Sequence, residues 1–407
     1  MSFLNLRIIL FMLAAFMTPI TVSVGTAMAQ NQFHSRVVYA FWPYWTDPSS
    51  YQPDWNVLTY VAYHSWDANS DGTLSAPGDI NQFNTVKNVS RQNGVKMIIS
   101  VKSFDKDTLD SIFAYHKDDL ANNILNVLQT YGADGVNLDF EYPRTINIYT
   151  DTPNSNLFEE FTRILHNKLK SRNQDYYISL NVAGNVEEVY RNAALSKYTD
   201  SVFLRGYNYN SSNSPVTGAP SPYIDLVNSV NLLKNYYPSN KIVLGLYFSG
   251  YDWPSSSSEP ESNTTGKGVA VPMKKAIANA KKYGRLWDSN SRTPWYKYQT
   301  EGVWHQTWYD DDQSLGLKLD YINSKNLGGA GFWALGYEGN NANIWNMVRE
   351  KFVIEPMAFR VPAVTPAEIP RITTVKPVET PKTPGFGLMV SLIVLFACAF
   401  LARWRNK

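Results

Sequence analysis

The chain has 407 residues, a formal net charge of +2, 44% hydrophobic residues and a single cysteine, Cys398. So even a charge balance argues against a nucleic-acid partner, and one cysteine leaves no disulfide to stabilise a small fold, so stability must come from a large core. The five histidines (His34, His64, His116, His166, His305) show no ligand spacing, so no metal site is predicted, and no cofactor motif is present.

Residues 1–29 open with Arg7, continue as the apolar run Ile8–Phe16 and end in Ala27-Met-Ala29. A basic start, a short apolar stretch and a small-residue site predict a secretory signal peptide, with cleavage leaving Gln30 first. Residues 30–355 are predicted to form one large domain. Eight short apolar runs recur through it: Val37–Trp42, Val57–Tyr63, Lys96–Val101, Gly135–Phe140, Tyr177–Val182, Ser201–Leu204, Ile242–Tyr247 and Gly329–Trp333. Amphipathic stretches such as Leu120–Tyr131 and Leu157–Leu169 separate several of them. Strands alternating with helices predict a parallel α/β fold, and eight strands fit a (β/α)8 TIM barrel. The alternative is a doubly wound open sheet, but no Gly-rich phosphate turn follows an early strand. Asp67–Gly72 starts like a calcium loop, yet its twelfth position is Gly78, so a plain turn is expected. The gap at about 250–305 is read as an elaborated loop after strand seven. Asn88, Asn210 and Asn263 head glycosylation sequons.

The C-terminal part has a different character. Residues 356–384 hold seven prolines without helical or strand period, which predicts an extended linker. Residues 385–407 contain the apolar run Phe386–Ala402, followed by Arg403-Trp-Arg405-Asn-Lys407. Seventeen apolar residues are at the short end of what spans a bilayer, and the basic cluster places the C-terminus inside. Pro384-Gly-Phe386 resembles an archaeal surface-sorting signal, which implies processing by a sortase-like membrane protease and anchoring by a lipid; a retained transmembrane helix is the alternative. Both ends agree on an exported domain at the extracellular face, held to the cell surface by its C-terminus.

The chemistry is concentrated in Asp134-Gly-Val-Asn-Leu-Asp-Phe-Glu141 on the fourth strand. Side chains alternate along a strand, so Asn137, Asp139 and Glu141 share one face and Val136, Leu138 and Phe140 the other. In a barrel the apolar set packs outward on helices, and the polar set faces the lumen near the C-terminal mouth. Neighbouring buried carboxylates raise each other's pKa, which suits one of them to act as a general acid. Trp42, Tyr44, Trp45, Trp66, Tyr207, Tyr209 and Trp333 fall near strand ends, where flat rings can stack on sugars.

On these residues the chain resembles glycoside hydrolase family 18, the chitinase family, whose signature is D-x-x-D-x-D-x-E. The resemblance covers nearly all of residues 36–340. It includes Trp42-Pro-Tyr-Trp45, Tyr207-Asn208, Leu244-Gly-Leu246, Trp308-Tyr-Asp-Asp311 and Leu327–Gly336. Gly250-Tyr-Asp-Trp-Pro254 with Thr293-Pro294 is most similar to the spore-cortex and cell-wall N-acetylglucosaminidase branch. The resemblance implies an N-acetylglucosamine-containing polysaccharide, chitin or a relative, as substrate. It implies that Glu141 is the catalytic acid and then base, with the substrate's own acetamido oxygen as nucleophile and retention of configuration. Asp139 would orient the acetamido group, Tyr207 would donate a hydrogen bond to it, and Trp333 would lie beneath the sugar, with Trp42, Trp45 and Trp66 as further substrate-binding aromatics.

Four positions depart from the family pattern: Asn137 for the middle Asp, Asn208 for the Asp after Tyr207, Ser100-Val-Lys102-Ser103 for S-x-G-G, and Arg205 for Met. Without a neighbouring acid, Asp139 is expected to stay ionised more readily. Arg205 is expected in the lumen, where it would favour an ionised Glu141 and read an anionic sugar; the alternative is a structural pair with Asp134 or another barrel acid. The rival functions are a chitinase-like lectin that binds without cutting and a surface-layer scaffold.

Overall fold

A computed structural model of the chain describes residues 33–354; the expected signal peptide, linker and membrane or sorting segment, with Cys398, lie outside them. The eight apolar runs form eight parallel strands: β1 (Val37–Pro43), β2 (Tyr60–Ala68), β3 (Lys96–Ser103), β4 (Gly135–Phe140), β5 (Tyr177–Val182), β6 (Ser201–Arg205), β7 (Ile242–Tyr247) and β8 (Gly329–Trp333). Each pairs with its neighbours in order, and β8 pairs with β1 to close the barrel. The fold is the (β/α)8 barrel that the strand and helix alternation predicts. One boundary moves: Trp55–Val57 is a 3₁₀ turn capped by Asp54, so β2 begins three residues later than its apolar run and extends to Ala68.

Alternation divides the barrel into two cores. Val136, Leu138 and Phe140 point outward and join the helix layer, packing with Phe113, Phe158 and Phe161. Tyr39, Phe41, Ala62, Ile98, Phe203 and Val243 fill the lumen. Phe203 occupies its middle because two strands yield space: a Cβ on Gly245 or Gly331 would lie 2.4 or 2.1 Å from its ring. The lumen below the mouth is therefore solid, as in other barrels of this size, and reaction space exists only above it.

The insertion expected after β7 is present, with more regular structure than an elaborated loop. It folds as a five-stranded antiparallel sheet in the order Val269–Pro272, Ser249–Ser255, Val303–Trp308, Thr293–Thr300 and Leu286–Asp288, with the helix Met273–Tyr283 packed on it. Trp295 and Trp308 stack with centroids 5.0 Å apart, beside fully buried Trp253. The first strand of this insertion carries Tyr251 to the barrel mouth.

Candidate active site

The site follows from the parity of β4. Asn137 and Asp139 point into the lumen, and Glu141 comes one residue after the strand, held to β3 by its N–H donating to the Ser103 carbonyl at 3.0 Å. Asn137, at the bottom, donates to Ser179 Oγ at 3.3 Å, while its own carbonyl oxygen is buried without a partner. Asp139 accepts a hydrogen bond from the Asn181 side chain at the end of β5. Its second oxygen lies 4.0 Å from His64 Nδ1 of β2. That distance would suit an ion pair, but burial and the nearby Lys102 push the His64 pKa down to about 4, so the imidazole is neutral at neutral pH.

Asp139 is 3% exposed, and burial raises its pKa above the usual carboxylate range against the opposing effects of Arg205 and the Asn181 hydrogen bond. Asn137 was expected to leave Asp139 more readily ionised than an acid at that position would; burial works in the opposite direction. Glu141 pairs with Arg205 Nη1 across the mouth. Burial nevertheless pushes the Glu141 pKa up to about 7, with Arg205 pulling it down and Asp139 adding to the rise. A carboxyl group near half-protonation at neutral pH can both give and take a proton.

Tyr207 follows β6 and stacks on Tyr247 from the end of β7, with centroids 4.9 Å apart and rings 10° from parallel. Asn208 has φ +65°, a left-handed turn that Asn tolerates. Burial holds the Tyr207 hydroxyl pKa above its ordinary value, so it remains a donor. Trp333 ends β8 with its ring edge-on to His64 at 5.0 Å. Trp45 lies 6.5 Å from Trp333, and Tyr44 packs edge-on against Trp45 at 4.8 Å. These groups, with Tyr251, enclose a cleft of about 380 Å³. A larger cavity of about 520 Å³, lined by Arg36, Tyr60 and Lys96, opens at the other end of the strands, away from Asp139 and Glu141.

Residues 38–338 match the family described as glycosyl hydrolases family 18. The chain belongs to this family. This family 18 glycoside hydrolase is 27% identical over 316 residues to the cortical fragment-lytic enzyme of Bacillus anthracis, covering 73% of this chain and 69% of that protein. It is 23% identical to human di-N-acetylchitobiase, over 75% of this chain and 86% of that one. Its fold matches the spore cortex-lytic enzyme SleL of Bacillus cereus with a TM-score of 0.68 at 24% identity, over 79% of this chain and 75% of that chain. The family 18 chitinase of Cycas revoluta, solved in complex with (GlcNAc)3, matches with a TM-score of 0.67 at 19% identity, over 77% and 99%.

Within this glycoside hydrolase the structure brings Glu141, Asp139, Tyr207, Asn208, Arg205, Trp45 and Trp333 to one cleft, with Asn137 beneath. Two aromatics do not belong there. Trp42 shares parity with Val38 and Ala40, faces the helix layer, stacks on Trp55 at 6.1 Å and donates Nε1–H to the Thr46 carbonyl at 2.9 Å. Trp66 is also buried outward, packed at 5.1 Å on Phe83, because the register of β2 shifts between His64 and Trp66 and reverses the parity. Both are core residues, not substrate platforms. Tyr209 is likewise a packing residue, its hydroxyl 2.6 Å from Ser229 Oγ.

Arg205 does face the lumen, but its partner is Glu141. Asp134 is instead held at the base of β4 by the Met97 N–H at 2.8 Å and by Arg91 at 3.7 Å. Arg205 is buried in the cleft wall and engaged with Glu141. Sequence reading also passed over His64, Asn181, Tyr247 and Tyr251. The signal for two of them was the same alternation that identified Asp139: Asn181 shares lumen parity with Ser179, and His64 with Ala62.

Proposed function

We propose that this enzyme cleaves β-linked N-acetylglucosamine polymers by substrate-assisted, retaining hydrolysis. The observation that carries the reading is Glu141 at the mouth with a pKa pushed up to about 7, beside buried Asp139 and below the aromatic walls of the cleft. Glu141 protonates the glycosidic oxygen while the acetamido oxygen of the sugar attacks the anomeric carbon, which is why a second carboxylate at nucleophile spacing is not needed. Asp139 accepts from the acetamido N–H and stabilises the positive charge that forms there. Tyr207 donates to the acetamido oxygen, Trp333 supports the apolar face of the ring, and Trp45 with Tyr44 extends the stacking surface outward. Glu141 then takes a proton from the water that opens the cyclic intermediate.

The names of the relatives fit this reading: a cortical fragment-lytic enzyme, a di-N-acetylchitobiase and a chitinase bound to (GlcNAc)3. The proposed setting is outside the cell, after removal of residues 1–29, with residues 356–384 as spacer and residues 385–407 as membrane or lipid anchor. Proton NMR of the first product formed from N-acetylglucosamine oligomers tests the mechanism. The β-anomer is expected at early times, and an initial α-anomer would contradict acetamido participation. Release of a lipidated form from membranes, detected by mass spectrometry, tests the anchor.

A further inference from the structure

The proposed mechanism leaves Glu187 unused, although it sits beside the site. Both of its carboxylate oxygens are shielded from solvent and neither has a hydrogen-bond partner. A charged group in that position is costly unless something arrives to pair with it. The loop after β5 nevertheless turns it inward. Val186 is held at φ +46°, a left-handed conformation that is unfavourable for a β-branched residue. Its carbonyl is clamped by Arg191 Nε at 2.8 Å, and its side chain is fully buried.

Arg191 of the same loop is taken up by the Val186 and Asn185 carbonyls, and Arg205 is the cation on the side of the site. It interacts electrostatically with Glu187 as well as with Glu141 and Asp139. A cavity of about 310 Å³ is lined by Arg205 and, across from it in the chain, by Gly184 and Asn185 of the loop that leads to Glu187. We propose that Glu187 is a second seat for the Arg205 guanidinium: Arg205 holds Glu141 in the free enzyme and turns onto Glu187 when Glu141 has to carry its proton. Glu187 is then a positioning residue that acts through Arg205, and the inference rests on Glu141 being the proton donor. No proton passes through Arg205; only its positive charge is relocated. The arrangement resolves a conflict in the site, since a cation fixed on Glu141 stabilises the form that cannot donate. The other groups around Glu141 do not move in this scheme: Asp139 from β4 opposes its ionisation, the Tyr142 and Tyr207 hydroxyls stay protonated beside it, and Lys102 and His64 line the same cleft.

A crystal structure of the full-length Glu141→Gln protein tests the relocation directly, because the amide oxygen can still accept a hydrogen bond but no longer offers the guanidinium a countercharge, which Glu187 does. Arg205 is expected within hydrogen-bond distance of the Glu187 carboxylate; Arg205 still at position 141 with Glu187 unpaired would overturn the proposal. Kinetics supply the second test. Glu187→Gln should move the basic limb of kcat/KM to lower pH by about one unit, with roughly fivefold less activity at pH 7 and about tenfold less well above it. Its thermal midpoint should not fall, because neither side-chain oxygen has a hydrogen bond to lose. In an Arg205→Met background the same substitution should move the limb by less than half as much. Equal shifts in both backgrounds would show a direct charge effect of Glu187 and overturn the exchange. If the wild type does not cut N-acetylglucosamine oligomers at all, the proton-donor reading fails, while the Glu141→Gln structure still decides where Arg205 sits.

Discussion

Asn181 donates its side-chain amide to Asp139, tying the end of β5 to the carboxylate at the floor of the cleft. The contact opposes the burial that raises the Asp139 pKa. Asn181→Ala should therefore leave a buried acid short of its donor, at about 1–3 kcal/mol of stability. Activity should drop further than stability accounts for, since Asp139 would spend more of its time protonated. Urea unfolding and kcat measured on the same preparation check both; full activity in a destabilised variant would contradict the role given to Asp139.

Activity should fall above neutral pH. In the proposed mechanism protonated Glu141 is the required form, and its pKa of about 7 places the basic limb of kcat/KM there, with a roughly tenfold loss per pH unit beyond it. A pH profile with substrate well below KM measures this.

Stability has its own pH dependence through Glu338, a buried carboxyl that accepts from the Tyr51 hydroxyl and the Gly336 N–H. Burial pushes its pKa from 4.5 up to about 7. A raised carboxyl favours the folded state fully below its unfolded pKa, and that contribution is lost as pH rises through the folded value. Between about pH 4.5 and 7 the loss should be on the order of 3 kcal/mol, from the 2.5-unit difference. Glu338→Gln should flatten that part of the curve of unfolding free energy against pH, and an unchanged slope would argue against it.

The tryptophans separate stability from binding. Trp42→Ala empties a packed position and should cost about 3–5 kcal/mol of stability. Trp45, 48% exposed at the rim, should behave in the opposite way. Its replacement by Ala should leave the unfolding midpoint nearly unchanged and raise KM roughly five- to tenfold, the scale of about 1 kcal/mol of lost stacking. Thermal melts beside Michaelis curves distinguish the two.

Strand periodicity made most of the barrel legible in the sequence. Runs such as Gly135–Phe140 are buried on both faces, and such strands read as continuous apolar segments. The polar face of β4 was equally legible, because Asn137 and Asp139 break that apolarity at every second position. The sheet within the insertion was not, because its half-buried strands, Thr293–Thr300 among them, mix Thr, Tyr, Lys and Gln in a pattern that a polar loop can share. Trp66 was misplaced for a different reason: a register shift inside β2 reverses parity and leaves no mark in the residue types. The Arg205–Glu141 pair joins positions 64 apart in sequence, so only closure of the barrel brings them together.

The central claim is that Glu141 supplies the proton. The most direct measurement is turnover of labelled N-acetylglucosamine oligomers by the wild type and by Glu141→Gln, with oligomer binding followed in parallel. The account predicts cleavage by the wild type, loss of at least about a thousandfold in kcat in the variant, and retained binding in both. Equal turnover in the variant, or binding without turnover in the wild type, would contradict it.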